Sequence, residues 1–173
     1  MRRILFLICM TLLLANCATK LSPERTESEQ QEVKEQVMEA LKDYYKQPFK
    51  LESFKYEYKT HYPDGSCSGV YCSIVKLGQY ILKVQAIDNP IIKFEVVIND
   101  KEKESINSLI DSFKKNQLNR LYCGLGLVNY YSNVQLTEAL NQPYTRQAEK
   151  YCDSVDQERY KMYKDYYLKH HTN

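Results

Sequence analysis

No tryptophan occurs among the 173 residues, although tyrosine occurs 16 times. No apolar run approaches the roughly 20 residues that a membrane-crossing helix needs. Cys-x-x-Cys, Gly-x-Ser-x-Gly, His-Glu-x-x-His and phosphate-binding glycine loops are all missing. Their absence removes the usual sequence signs of thiol redox, serine hydrolase, zinc hydrolase and nucleotide chemistry. A charge excess is missing too. The formal +2 comes from Arg2 and Arg3, because residues 1–16 hold no acid; 24 − 2 leaves 22 basic against 22 acidic side chains. A near-neutral body lacks the field that gathers on phosphate backbones, which excludes nucleic acid as the main partner. There is no internal repeat.

What is present begins at the N-terminus. Met1-Arg2-Arg3 is followed by the apolar stretch Ile4–Leu14 and then by Leu14-Ala15-Asn16-Cys17. A short positive segment before a short apolar run is a signal-peptide pattern. The stretch Leu14–Cys17 resembles the lipobox of bacterial lipoproteins, with Asn16 standing where that family has Gly, Ala or Ser. The resemblance covers only the first 17 residues. It implies cleavage before Cys17, diacylation of its sulfur and acylation of the new amino group. Two or three acyl chains anchor a protein stably. Ala18, rather than Asp, after the cysteine implies the outer membrane, with the domain facing the periplasm. The alternatives are an ordinary secretory cut or an uncleaved anchor.

The remaining length suits one domain. Residues 1–16 read as signal peptide, 17–27 as lipidated cysteine and polar tether, and 28–173 as a single α+β domain. A helix is expected after the capping boxes Thr26-x-x-Glu29 and Ser28-x-x-Gln31. Val33, Val37, Leu41 and Tyr44 form its apolar face, widened by Met38 and Tyr45, and Pro48 ends it. The period then becomes two at Phe54, Tyr56 and Tyr58, again at Tyr80, Leu82, Val84 and Ala86, and again at Ile92, Phe94, Val96 and Ile98. Short connections make this an antiparallel meander of three or four strands, the fourth being Val70–Lys76. The last third reads as helical. Ile106, Ile110, Phe113 and Leu121 mark one helix. Gly124 and Gly126 either end it or admit a close neighbour. Ala148, Cys152, Val155, Met162 and Tyr166 mark a final stripe over about 145–169. Helix, meander, helices is an α+β order.

Four cysteines remain in the exported domain: Cys67, Cys72, Cys123 and Cys152. An even number in that compartment reads as two disulfides with three possible pairings. The expected pairing is Cys67–Cys72 and Cys123–Cys152. His61, His170 and His171 do not make a zinc set with tight paired spacing, so no metal is expected. Glu57 and Glu95 each stand beside a lysine on an outward strand face, which reads as solvated surface. No catalytic residue and no cofactor is expected.

Tyrosine is the residue type most suggestive of function, because its apolar ring and polar tip serve recognition at low entropy cost. Six lie between positions 144 and 167. Tyr163, Tyr166 and Tyr167 share the final stripe with Met162, while Tyr160 points elsewhere; Tyr160, Tyr163 and Tyr167 are the candidate binding residues. Packing of these rings on the sheet is the competing reading. The expectation is a non-enzymatic envelope lipoprotein, held to the membrane by its lipid and acting on a protein partner as an inhibitor or immunity-type protein. A structural or assembly lipoprotein, or an enzyme with a site built from scattered residues, are the alternatives.

Overall fold

A computed structural model of the chain describes residues 19–20, 22–61, 75–100, 104–133, 142–155, 161–162, 164–166 and 169. The elements in chain order are β1 (Thr19–Lys20), α1 (Glu27–Tyr45), β2 (Phe49–His61), β3 (Val75–Ala86) and β4 (Lys93–Asn99). There follow α2 (Ile106–Asn116), α3 (Leu118–Arg120), a π-helix (Leu121–Leu127), α4 (Val128–Asn133) and α5 (Pro143–Val155). The fold is α+β, as the order of sequence patterns predicts.

Helix α1 starts where its capping box places it. The Thr26 hydroxyl accepts from the Glu29 amide at 3.3 Å, and the Glu29 carboxylate accepts from the Thr26 amide at 2.8 Å. Val33, Val37, Leu41 and Tyr45 repeat every fourth residue and are buried. Tyr44, expected on that face, is instead 47% exposed. The strict i+4 row carries the core face round to Tyr45 and leaves its neighbour outside. The helix ends at Lys46 in the left-handed region (φ 54°), two residues before Pro48, which cannot continue a helix.

Strands β2, β3 and β4 form the expected antiparallel meander, with β3 in the middle. The register slips between Leu51↔Val84 and Ser53↔Lys83, so Glu52 is a bulge. Side chains alternate with period two, and one extra residue resets the phase. Phe49 and Leu51 therefore share the inner face with Phe54 and Tyr56 although their parity differs. Val75 and Lys76, placed in the fourth candidate strand, open β3 instead; residues 70–74 lie outside the described residues. The two-residue β1 pairs parallel to β3 through Thr19↔Val75 and Lys20↔Lys76.

The core lies between the inner sheet face and the helices. Tyr80, Leu82, Val84, Phe94, Val96 and Ile98 meet Val33, Val37, Leu41, Leu109, Ile110 and Phe113. The outer face carries Lys55, Glu57, Lys59, Lys83 and Glu95. Glu57 pairs with both Lys55 and Lys59 there, and Lys93 reaches Glu52 at 3.5 Å.

Two expectations need correction. The tether read over 17–27 is already folded in its second half: Ser22 and Arg25 are buried, because the sheet end supplies partners for their polar groups. The stripe beyond Cys152 is not a core stripe. Val155 is 55% exposed and Met162 72%, and Tyr166 is exposed as well. Helix α5 buries Thr145, Ala148 and Cys152, and Asp153, Ser154 and Val155 after them are exposed.

Candidate interaction surface

Residues 118–133 would make one uninterrupted helix if only their own backbone mattered. A side chain from elsewhere intervenes. The Tyr45 hydroxyl donates to the Leu118 carbonyl and accepts from the Tyr122 amide, the latter at 3.1 Å. Those two backbone groups are the i−4 and i partners of an α-helical bond. The hydroxyl thus sits inside that bond and keeps both groups satisfied, and the backbone opens into the π-helix Leu121–Leu127. Insertion of a side chain into the ladder is a recognised cause of such distortion.

Two features hold the widened segment down. A Cβ on Gly126 would lie 2.7 Å from Ile92 Cγ2 and 3.3 Å from Phe94 Cδ1, so glycine lets the π-helix rest on the start of β4. Cys123 then joins Cys152 of α5, with Cα atoms 5.7 Å apart. This is one of the two expected disulfides. Cys67 and Cys72, expected to form the other, lie outside the described residues, as do Cys17 and the tyrosines Tyr160, Tyr163 and Tyr167.

Around this junction the rings collect. Tyr45 lies 5.4 Å from Tyr122, 5.7 Å from Phe49 and 4.9 Å from Tyr44, centroid to centroid. Tyr151 stacks edge-on against Tyr122 at 4.9 Å. These separations are those of favourable aromatic pairs. Burial pushes the Tyr45 and Tyr122 hydroxyls up and takes Tyr151 to about 12. All three are therefore neutral at physiological pH. The rim of the cluster is open to solvent at Tyr44, Ile87 and Tyr144. The β3–β4 turn ties the rim together: the Ile87 amide donates to the Pro48 carbonyl at 3.0 Å, and Asn89 Nδ2 donates to the Tyr144 carbonyl at 2.8 Å. Of the tyrosines singled out near the C-terminus, Tyr144 and Tyr151 join this surface. Tyr44, Tyr45 and Tyr122 were not foreseen in it, because their meeting depends on contacts across more than 70 residues.

The opposite end of the sheet is charged. Arg25 lies against Asp100, with Nη2 3.3 Å from Oδ1 and Nε 3.4 Å from Oδ2. It also donates to the Glu104 carbonyl at 2.6 Å and pairs with Glu29 at 3.3 Å. Its amide donates to the Tyr56 hydroxyl, and the Tyr80 hydroxyl donates to Asp100. Ser22 accepts from the Gly78 amide at 3.1 Å. A Cβ on Gly78 would fall 2.3 Å from the Tyr56 hydroxyl and 2.6 Å from Asp100 Oδ2; glycine leaves the room that this clasp occupies. Burial raises the Asp100 carboxyl above its ordinary value, and the guanidinium beside it opposes that rise. Neither Arg25 nor Asp100 carries a sequence motif.

Glu57 and Glu95 do not form an acid pair. Both lie on the outer face, Glu57 in register with Gln79 and Glu95 with Lys83. They stand on the two strands flanking β3, four rows apart along it, so about 16 Å separates them. Hydrogen bonds from Lys55 and Lys59 hold the Glu57 carboxyl down at about 2. Among the described residues no group of three or more His, Cys, Asp or Glu side chains is placed to hold a metal ion. Among them, too, no helix is long and apolar enough to cross a membrane. The chain matches no protein-family model, no curated protein and no solved structure.

Proposed function

We propose that the protein is a lipoprotein anchored through Cys17, whose domain binds an envelope protein with its tyrosine-rich end in the manner of an inhibitor or immunity-type protein. The observation that supports this reading is the opposition of the two ends. Thr19, two residues after Cys17, pairs with Val75 at the start of β3. The exposed Tyr44, Ile87 and Tyr144 stand beyond the other end of β3, whose 12 residues span about 40 Å. An anchor at Cys17 turns this end away from the bilayer. Because Ser22 and Arg25 are buried, little free chain remains between lipid and fold, so the domain's orientation follows the anchor. Rigid tyrosine rings around a buried aromatic centre suit a protein partner, since such residues give contact area at little entropic cost. Ala18 implies the outer membrane, with the domain in the periplasm.

Two measurements test this. Metabolic labelling with a fatty-acid analogue should mark the wild type and fail to mark Cys17→Ser; equal labelling removes the anchor. A photoreactive residue at Tyr44 or Tyr144 should give a discrete cross-linked product in intact cells, and one at Lys83 on the outer face should not. Products of equal yield at all three positions remove the tyrosine surface.

A further inference from the structure

Among the described residues strand β4 pairs with another strand on one edge only, and its register tells which groups lie on the other. The Ala86 amide bonds to the Ile92 carbonyl, and the Asp100 amide to the Gly78 carbonyl. Residues 92 and 100 thus belong to hydrogen-bonded pairs with β3, and alternation assigns 94, 96 and 98 to the same set. The N–H and C=O groups of Lys93, Glu95, Val97 and Asn99 point away from the sheet. Among the described residues only one of these groups finds a partner, the Val97 carbonyl, which accepts from Gln117 Nε2 at 3.2 Å.

Beside this edge runs a groove of about 340 Å³, lined by Glu95 and Val97 on one side and by Gln117, Arg120, Gly124 and Leu125 on the other. One wall is an unpaired strand edge and the other a helical face, at a spacing of three to four residues. Arg120 and Glu95 are exposed, and neither takes part in an ion pair among the described residues. Leu125 adds an exposed apolar contact. Gly124 is the informative residue. Gly126 is required by Ile92, but a Cβ on Gly124 would meet only Arg120 Cβ at an ordinary 3.5 Å. Its helix-weakening effect, up to about 1 kcal/mol, is therefore not compensated by packing among the described residues. Its backbone instead faces the groove, where a glycine permits close approach by another chain.

We propose that the β4 edge accepts an extended peptide segment as an added strand, with Arg120 holding an acidic side chain of that segment. The Glu95 amide and carbonyl and the Val97 amide pair with it, as in recognition by strand addition, while the Val97 carbonyl keeps its bond from Gln117. Glu95 favours a basic residue near the acidic one, and Leu125 an apolar residue between them.

The probes are three capped peptides: Lys-Val-Thr-Val-Asp-Val, the same peptide with Lys in place of Asp, and the first with Pro in place of Thr and of the Val before Asp. Amide exchange and chemical shifts are read on the full folded domain. The Asp peptide should slow exchange at the Glu95 and Val97 amides, and the Pro peptide should not, because it lacks the donors a ladder needs. Arg120→Glu, at an exposed position, should reverse the preference between the Asp and Lys peptides by about two- to five-fold in each direction, the scale of an exposed ion pair. Val97→Pro removes only an edge-pointing amide and should abolish binding of the Asp and Lys peptides. Unchanged exchange at Glu95 and Val97 with millimolar Asp peptide overturns the proposal, as does equal binding of the Pro peptide. Retention of the Asp preference in Arg120→Glu overturns the role of Arg120.

Discussion

The two ends of this molecule bury polar groups by opposite means. At the end where the chain enters the sheet, Arg25 and Asp100 are charged and face each other with Tyr56, Tyr80 and Glu104 in attendance. At the far end, a neutral hydroxyl on Tyr45 stands between two backbone groups of a helix, among rings. Removing one ion of a buried pair strands its partner in a poor solvent. Removing one hydroxyl strands at most a carbonyl and an amide that can find each other again. The charged end should therefore be the more fragile to substitution.

The largest effect is expected at the clasp. Asp100→Ala should cost about 3–5 kcal/mol, since Arg25 stays buried without its main counter-ion. Arg25→Met combined with Asp100→Leu should cost less than Asp100→Ala alone. Urea unfolding of the three proteins decides this, and a double variant worse than the single one would break the contrast between the ends.

Next comes the disulfide that holds the tyrosine end together. Cys123 and Cys152 are 29 residues apart, and replacing both with Ser should cost about 3.5 kcal/mol on loop-entropy grounds. The same loss should appear in the wild type with a reductant present, and the paired variant should no longer respond to it. A stability indifferent to reduction would show that packing around Ala148, not the cross-link, fixes α5.

Tyr45→Phe should cost about 1–2 kcal/mol. The figure is smaller because the helix can close to an ordinary Tyr122-to-Leu118 bond once the hydroxyl is gone. Amide exchange at Tyr122 reports that closure. Tyrosines buried at both ends, Tyr56 and Tyr80 in the clasp among them, set the alkaline limb. Tyr45, Tyr122 and Tyr151 all have hydroxyls raised by burial above their usual 10.0. A hydroxyl raised in the folded state contributes fully below its unfolded value and loses that contribution as pH climbs through the folded one. Stability should accordingly fall from about pH 10 toward about 12, the value for Tyr151, and Tyr45→Phe should make the fall shallower. An alkaline fall of the same steepness in Tyr45→Phe as in the wild type would contradict the burial argument.

The smallest effect is expected at Val155. Its exposure of 55% makes Val155→Asp nearly neutral, within about 0.5 kcal/mol. Thermal melts showing a loss of several kcal/mol would mean that α5 buries a longer face than Thr145, Ala148 and Cys152.

Much of the fold was legible because it is written locally. Val33, Val37 and Leu41 recur at the helical period, Phe94, Val96 and Ile98 at the strand period, and Thr26 with Glu29 forms a cap from four consecutive residues. Cys123 and Cys152 were legible as a pair because both lie in segments read as helical, with Cys152 on the apolar side of its own. The extended alternation in β2 was legible only after Glu52, since a bulge resets the phase. The interaction surface was much less legible. Tyr144 and Tyr151 belong to the C-terminal run of six tyrosines that the sequence makes conspicuous, whereas Tyr44 was assigned to the wrong side of α1 by one position.

By itself the sequence determined the order of α1, the antiparallel strands and the helical last third, most of their apolar faces and the cap of α1. Each of these depends on neighbours a few positions away, whose relation is set by the helical or strand repeat. Tertiary structure alone decided the clasp and the π-helix. Arg25 meets Asp100 across 75 residues, and Tyr45 reaches Leu118 across 73. Neither Arg25 in a polar stretch nor Asp100 after a strand differs locally from a solvated charge. What distinguishes them is that folding removes the water from both at once and leaves them in contact.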